Sequence, residues 1–161
     1  MSVEEAAGAV AVVAGGGIFA TMLGALGGGF LSDRLRRRRV FVLAGGCAFA
    51  AGATVMAFAA GLPLNVAGAV LGNLGLGLFA AVDQALMLDV LPERETDAGR
   101  FTGIYGFSTS MAQGPAPLVA PLFLAVGASR GEKNYTLLYL TAAALTLLSG
   151  VVVATRIKSV R

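Results

Sequence analysis

Charged residues fall in short clusters along the chain, and long apolar stretches run between them. No Asp, Glu, Lys or Arg occurs in 6–32, 40–82, 101–129 or 134–155. About 20 apolar residues are needed for a helix to cross the hydrocarbon of a bilayer, and each of the four stretches reaches that length. The second is too long for one crossing. At about 1.5 Å per residue it would make a helix of roughly 65 Å, twice the hydrocarbon thickness. It is punctuated once, at Gly61-Leu62-Pro63-Leu64-Asn65, where Gly and Pro favour a turn. Splitting there predicts five helices, at about 7–31, 40–60, 65–89, 101–126 and 135–156. The expected fold class is an all-α membrane protein, a polytopic bundle of five transmembrane helices. All of 1–161 forms a single transmembrane domain.

Composition agrees with the pattern. The chain is 57% hydrophobic and 13% charged, with a mean hydropathy of +0.80, and a soluble domain needs more charge to cover its surface. Basic residues mark cytoplasmic loops. With the N-terminus outside, the inner segments hold Arg34, Arg36, Arg37, Arg38, Arg39, Arg94, Arg100, Arg156, Lys158 and Arg161. Arg130 and Lys133 are left outside. Ten against two sets the expected orientation: a multi-pass protein of the cell (inner) membrane, N-terminus out and C-terminus cytoplasmic. The net charge of +3 sits at helix ends and makes no nucleic-acid-binding face. Met1 to Glu5 is acidic and the apolar stretch after it is long, which argues against a signal peptide.

The 23 glycines suit helix packing in lipid, where small residues let backbones approach closely. Gly16, Ala20, Gly24 and Gly28 form a ridge on the first helix, and Gly68 and Gly72 begin another on the third.

The first helix ends in Gly29-Phe30-Leu31-Ser32-Asp33-Arg34-Leu35-Arg36-Arg37-Arg38-Arg39. Here the sequence resembles the major facilitator superfamily, whose Gly-x-Leu-(Ser/Ala)-Asp-Arg-x-Gly-Arg-Arg signature follows the second helix and recurs after the eighth. Gly29, Leu31, Ser32, Asp33, Arg34, Arg37 and Arg38 match. The departure is Arg36, where the family usually has Gly, so the tight turn there is not assured by the residue. Arginines alone would be explained by the positive-inside bias; Asp33 is not required by it. The resemblance implies a cytoplasmic gate of Gly29, Asp33, Arg34, Arg37, Arg38 and Arg100. Asp33 would dock at the start of the fourth helix, on Arg100 and the amides of 99–103, and Arg34 would meet Asp89. With five helices, the matching copy is the one after the eighth, which implies the C-terminal part of a transporter, helices eight to twelve, lacking an N-terminal half.

The third helix carries Asp83 about 10 Å from its cytoplasmic end. An ionisable group at that depth costs about 2.5–3.5 kcal/mol on insertion scales and normally faces protein or a water-filled cavity. At 100° per residue, Asn73, Gly77 and Gln84 share a stripe about 40° wide with Asp83 at its edge, while Leu71, Leu78, Val82 and Leu86 lie opposite. One reading makes Asn73, Asp83, Gln84 and Gln113 the lining of a solute pathway, with Asp83 exchanging a proton. The other pairs Asp83 with an arginine at the cytoplasmic gate.

The fourth helix holds Pro115, Pro117 and Pro121, which free carbonyls one turn back. In lipid such a break should face protein or a cavity, and breaks near the midplane point to transporter sites. Ser110, Gln113 and Tyr105 are the nearest polar groups. Asp89-Val90-Leu91-Pro92-Glu93, Ala98-Gly99-Arg100 and the proline-interrupted helix are similar to sugar–cation symporter branches of the superfamily, and drug exporters share much of the pattern.

The expected function is therefore part of a secondary active transporter moving a small polar solute, sugar-like or drug-like, with proton coupling. Its partners would be the lipid bilayer, the small-molecule solute and a separate N-terminal half. The alternative is a non-transporting truncated membrane protein or assembly partner. No phosphate-binding Gly-x-x-x-x-Gly-Lys-(Ser/Thr) occurs, and the arginine-rich loop does not look like the coupling helix of an ATP-driven permease. With no His and one Cys, neither a catalytic nor a metal-ligating set is expected, and no cofactor.

Overall fold

In a computed structural model the protein is described over residues 3–90, 98–126 and 135–156. Six α-helices follow in order: α1 Val3–Leu35, α2 Arg38–Ala57, α3 Leu62–Val90, α4 Ala98–Gln113, α5 Ala116–Ala125 and α6 Tyr135–Arg156. No strand occurs among the described residues, and the fold is an all-α membrane bundle. Four helices, α1, α2, α3 and α6, are long and apolar enough to span a bilayer.

Helix limits follow the punctuation of the sequence. α3 starts three residues earlier than expected, at Leu62. Proline in a first turn lacks only an N–H that has no intrahelical partner there, so Pro63 begins the helix rather than preceding it. The expected fourth helix is two. α4 stops at Gln113, Gly114 N donates back to Ser110 O at 2.9 Å, and the carbonyl of Pro115 accepts from Leu118 and Val119 as α5 begins. Pro115 and Pro117 cannot donate to Met111 and Gln113, and this interrupts the ladder.

α3 is the axis of the bundle, with α1 packed along one flank and α2 along the other; α6 packs on the far side of α2, and α5 leans on α6. Both flanks of α3 are built on glycine. A Cβ placed on Gly45 would stand 2.9 Å from Phe79 N and 3.0 Å from Gly75 O, and one on Gly68 would stand 2.9 Å from Gly52 O. Gly24 meets the carbonyl of Leu74, and Gly77 meets that of Thr21. The ridge of Gly16, Ala20, Gly24 and Gly28 thus seats α1 on α3, whereas Gly68 and Gly72 face α2. Larger apolar groups fill the space between the seams. Val42, Val82 and Leu86 are buried together, with Phe41, Leu78, Phe79 and Val153 around them; Ala50, Ala53 and Ala143 form a second cluster with Phe49 and Tyr139. Phe19, Leu26 and Leu118 stay 64%, 70% and 77% exposed, a disposition that suits lipid and not water.

Candidate functional site

Two groups of polar residues stand apart from the packing. The first is the turn between α1 and α2. α1 ends at Leu35, Arg36 takes φ 50, and Arg37 leads into α2. A positive φ just past a helix is the usual way to reverse the chain, and glycine adopts it without strain. The tight turn therefore forms despite Arg36, which accepts the left-handed conformation itself. That reversal brings Arg38 back beside Asp33, and the guanidinium donates to Asp33 Oδ1 at 3.0 Å. Their side chains are 21% and 65% exposed, and a pair so open to solvent contributes at most about 1 kcal/mol.

Asp33 is thus engaged within its own turn, and α1 and α4 make no contact among the described residues. Arg100 is exposed at the start of α4 and is not brought to Asp33. Arg34 and Arg37 are exposed as well. Gly29 has nothing within 4 Å of a built Cβ. The side chain of Asp89, the segment 91–97 and the tail 157–161 lie outside the described residues. So do the expected Arg34–Asp89 contact and most of the symporter-like loop. Ser32, at the signature's Ser/Ala position, is 1% exposed, and its hydroxyl has no hydrogen-bond partner.

The second group lies on the face of α3 that neither α1 nor α2 covers. Along it stand Leu76, Ala80, Asp83, Gln84 and Met87, all exposed or half-buried. Asp83 Oδ2 accepts a hydrogen bond from Tyr105 Oη of α4 at 2.6 Å. No arginine reaches Asp83 among the described residues. Tyr105 sits on a partly covered stripe of α4, between Phe101 and Thr109; the other residues of 99–113 are exposed. The backbones of α3 and α4 do not approach closely, so this hydrogen bond spans an open gap.

Asn73 stands about 15 Å along the helix from Asp83 by ten residues of rise, in the seam with α1. Its Nδ2 donates to Ala69 O at 2.8 Å, and its Oδ1 accepts from Thr21 Oγ1 at 3.3 Å. Thr21 shares its one proton with Gly17 O at 2.9 Å. An open groove of about 440 Å³ lies beside this pair, lined by Val13, Ala14, Gly17, Ile18, Thr21, Met22 and Asn73. Gln84 and Gln113 are exposed and are not gathered with the others. Gly77, expected on the polar stripe, packs on α1 instead. Nothing among the described residues covers the break itself, residues 110–119 being exposed throughout.

Sequence reasoning placed Tyr105 near the break and did not foresee its bond to Asp83. It passed over Thr21, the one hydroxyl in 6–31, whose isolation in an apolar helix was the available signal.

A turn carrying the matched signature joins two helices long and apolar enough to span a membrane, and the uncovered face of α3 bears a carboxylate. The family model of the Major Facilitator Superfamily matches residues 3–160. The chain belongs to the major facilitator superfamily. Comparison with curated proteins and with solved structures gives no match. Superfamily membership gives the chain a transporter-type function and a place in the membrane.

Proposed function

We propose that this superfamily member forms one wall of a secondary active transporter for a small polar solute, sugar-like or drug-like, and that Asp83 carries the coupled proton. The observation behind this reading is the Asp83–Tyr105 hydrogen bond on the uncovered face of α3. A carboxylate at that depth is costly unless it faces protein or water. Here its partner among the described residues is a neutral hydroxyl and not a guanidinium.

The opposite wall would come from an N-terminal half, facing the surface of α3, α4 and the exposed break at Gly114-Pro115. By the superfamily resemblance the helices correspond to the eighth to twelfth, in a cell membrane, with the α1–α2 turn on the cytoplasmic side. That turn would act as the gate once α4 closes against it.

The test uses proteoliposomes carrying this chain together with helices supplying the opposite half. Solute addition is expected to drive proton uptake reported by an internal pH dye. Asp83→Asn keeps the acceptor for Tyr105 but cannot ionise, and should lower solute-driven proton movement at least about tenfold while leaving solute exchange at equal pH. Undiminished proton movement in that variant would exclude Asp83 as the carrier. Transport by liposomes holding this chain alone would overturn the need for a second wall.

A further inference from the structure

The α1–α2 turn concentrates charge beyond what a gate uses. Five of the six residues from Arg34 to Arg39 are arginine, and Asp33 is the one acid between Ser32 and Val40. Asp33 is engaged by Arg38. Arg34, Arg36 and Arg37 are exposed, and none of the three makes an ion pair among the described residues. Arg39 Nε is buried without a hydrogen-bond partner.

The connection is short: α1 closes at Leu35 and α2 opens at Arg38. Only Arg36 and Arg37 lie between, so these guanidinium groups cannot travel away from the ends of two membrane-crossing helices. With α1 and α2 across the bilayer, a turn this short would lie near the lipid headgroups.

Orientation by the positive-inside bias explains cationic residues here, but Lys and Arg satisfy it alike. Every cation in this turn is Arg, whose planar fork grips a phosphate with two parallel hydrogen bonds, where Lys offers a point charge. One of them occupies a φ 50 position, where glycine would be unstrained. Clusters of four or more basic residues next to the cytoplasmic end of a transmembrane helix attract anionic lipid.

We infer that the Arg34–Arg39 turn binds the headgroup phosphate of an anionic phospholipid of the inner leaflet, with Arg36 and Arg37 as its principal contacts. The inference rests on the turn facing the cytoplasm and not on the transport reading, and a binding assay separates the two.

The full chain is reconstituted in nanodiscs of equal phosphatidylglycerol and phosphatidylcholine, and the lipid retained on release into the gas phase is weighed with the protein. The expected result is one phosphatidylglycerol held per chain in preference to phosphatidylcholine, undisplaced by millimolar inorganic phosphate. Arg36→Gly combined with Arg37→Gln should reduce that preference about tenfold, with the helical circular dichroism unchanged. Arg100→Gln, on the same side but outside the turn, should leave it intact. Equal retention of the two lipids, displacement by inorganic phosphate, a preference surviving the double variant, or an equal loss with Arg100→Gln would each overturn the inference.

Discussion

Ser32 and Arg36 show how single residues in the signature turn carry strain of different kinds. The Ser32 hydroxyl is buried at 1% exposure with no partner, and an unsatisfied buried polar group costs about 1–3 kcal/mol. Ser32→Ala removes it at almost no change of volume. The variant should therefore gain about 1 kcal/mol of stability in detergent, read as a higher midpoint of thermal unfolding; a lower midpoint would mean that the hydroxyl has a partner. Arg36 is strained in its backbone. An L-residue in the left-handed region costs about 1–2 kcal/mol, part of which glycine returns to the unfolded chain as entropy. Arg36→Gly should stabilise by about 0.5–1 kcal/mol in a detergent free of anionic lipid, measured the same way. The local pairing of Asp33 with Arg38 follows from this turn. Sequence reading aimed Asp33 at Arg100 because the matched signature does. The partner five residues away was hidden, because only the φ of Arg36 brings it within reach.

At the scale of elements, the decisive contacts are between backbones. Gly45 on α2 and Gly75 on α3 face each other so closely that a Cβ at Gly45 would stand 2.9 Å from Phe79 N. Backbone atoms in a packed helix cannot step aside, and overpacking of this kind costs about 1–3 kcal/mol. Gly15, on the exposed side of α1, has nothing within 4 Å of a built Cβ, and alanine there is favoured by helix propensity, by up to about 1 kcal/mol. Gly45→Ala is thus expected to be destabilising and Gly15→Ala neutral or stabilising, in paired unfolding titrations with a denaturing detergent. Equal effects of the two would contradict the seam. Sequence alone showed that glycine would pack the bundle and placed the α1 ridge correctly. It put Gly77 on a polar, pathway-facing stripe, because helical angle shows which residues share a face but not which neighbour covers it. The charge-free runs made α1, α2, α3 and α6 legible to within a few residues. The Asp83–Tyr105 bond was not legible, since it depends on which stripe of α4 turns toward α3.

For the whole molecule, the pair α4 and α5 decides on which side each end lies. α1, α2, α3 and α6 qualify as spans by length and hydropathy, and four crossings would leave both termini on one face. A fifth crossing separates them. α4 has 16 residues and α5 has 10, about 24 Å and 15 Å of helix, so neither alone crosses roughly 30 Å of hydrocarbon and the two in series do. Basic residues discriminate weakly between the cases. With α4–α5 crossing, ten lie inside and two outside. If the pair turned back, Arg130 and Lys133 would move inside and Arg156, Lys158 and Arg161 outside, nine against three. The stronger argument is local. α4 is tied to the C-terminal half of α3 at Tyr105–Asp83, and α5 leans on α6, which begins at the other end of the bundle. A pair anchored at one end of the bundle and leaning on a helix that starts at the other is expected to cross. Peptide tags at the two ends, probed with membrane-impermeant antibody in sealed inverted vesicles, should show the C-terminal tag accessible and the N-terminal tag protected. Both tags on one face would make α4–α5 re-entrant and place Asp83 in a different relation to the gate.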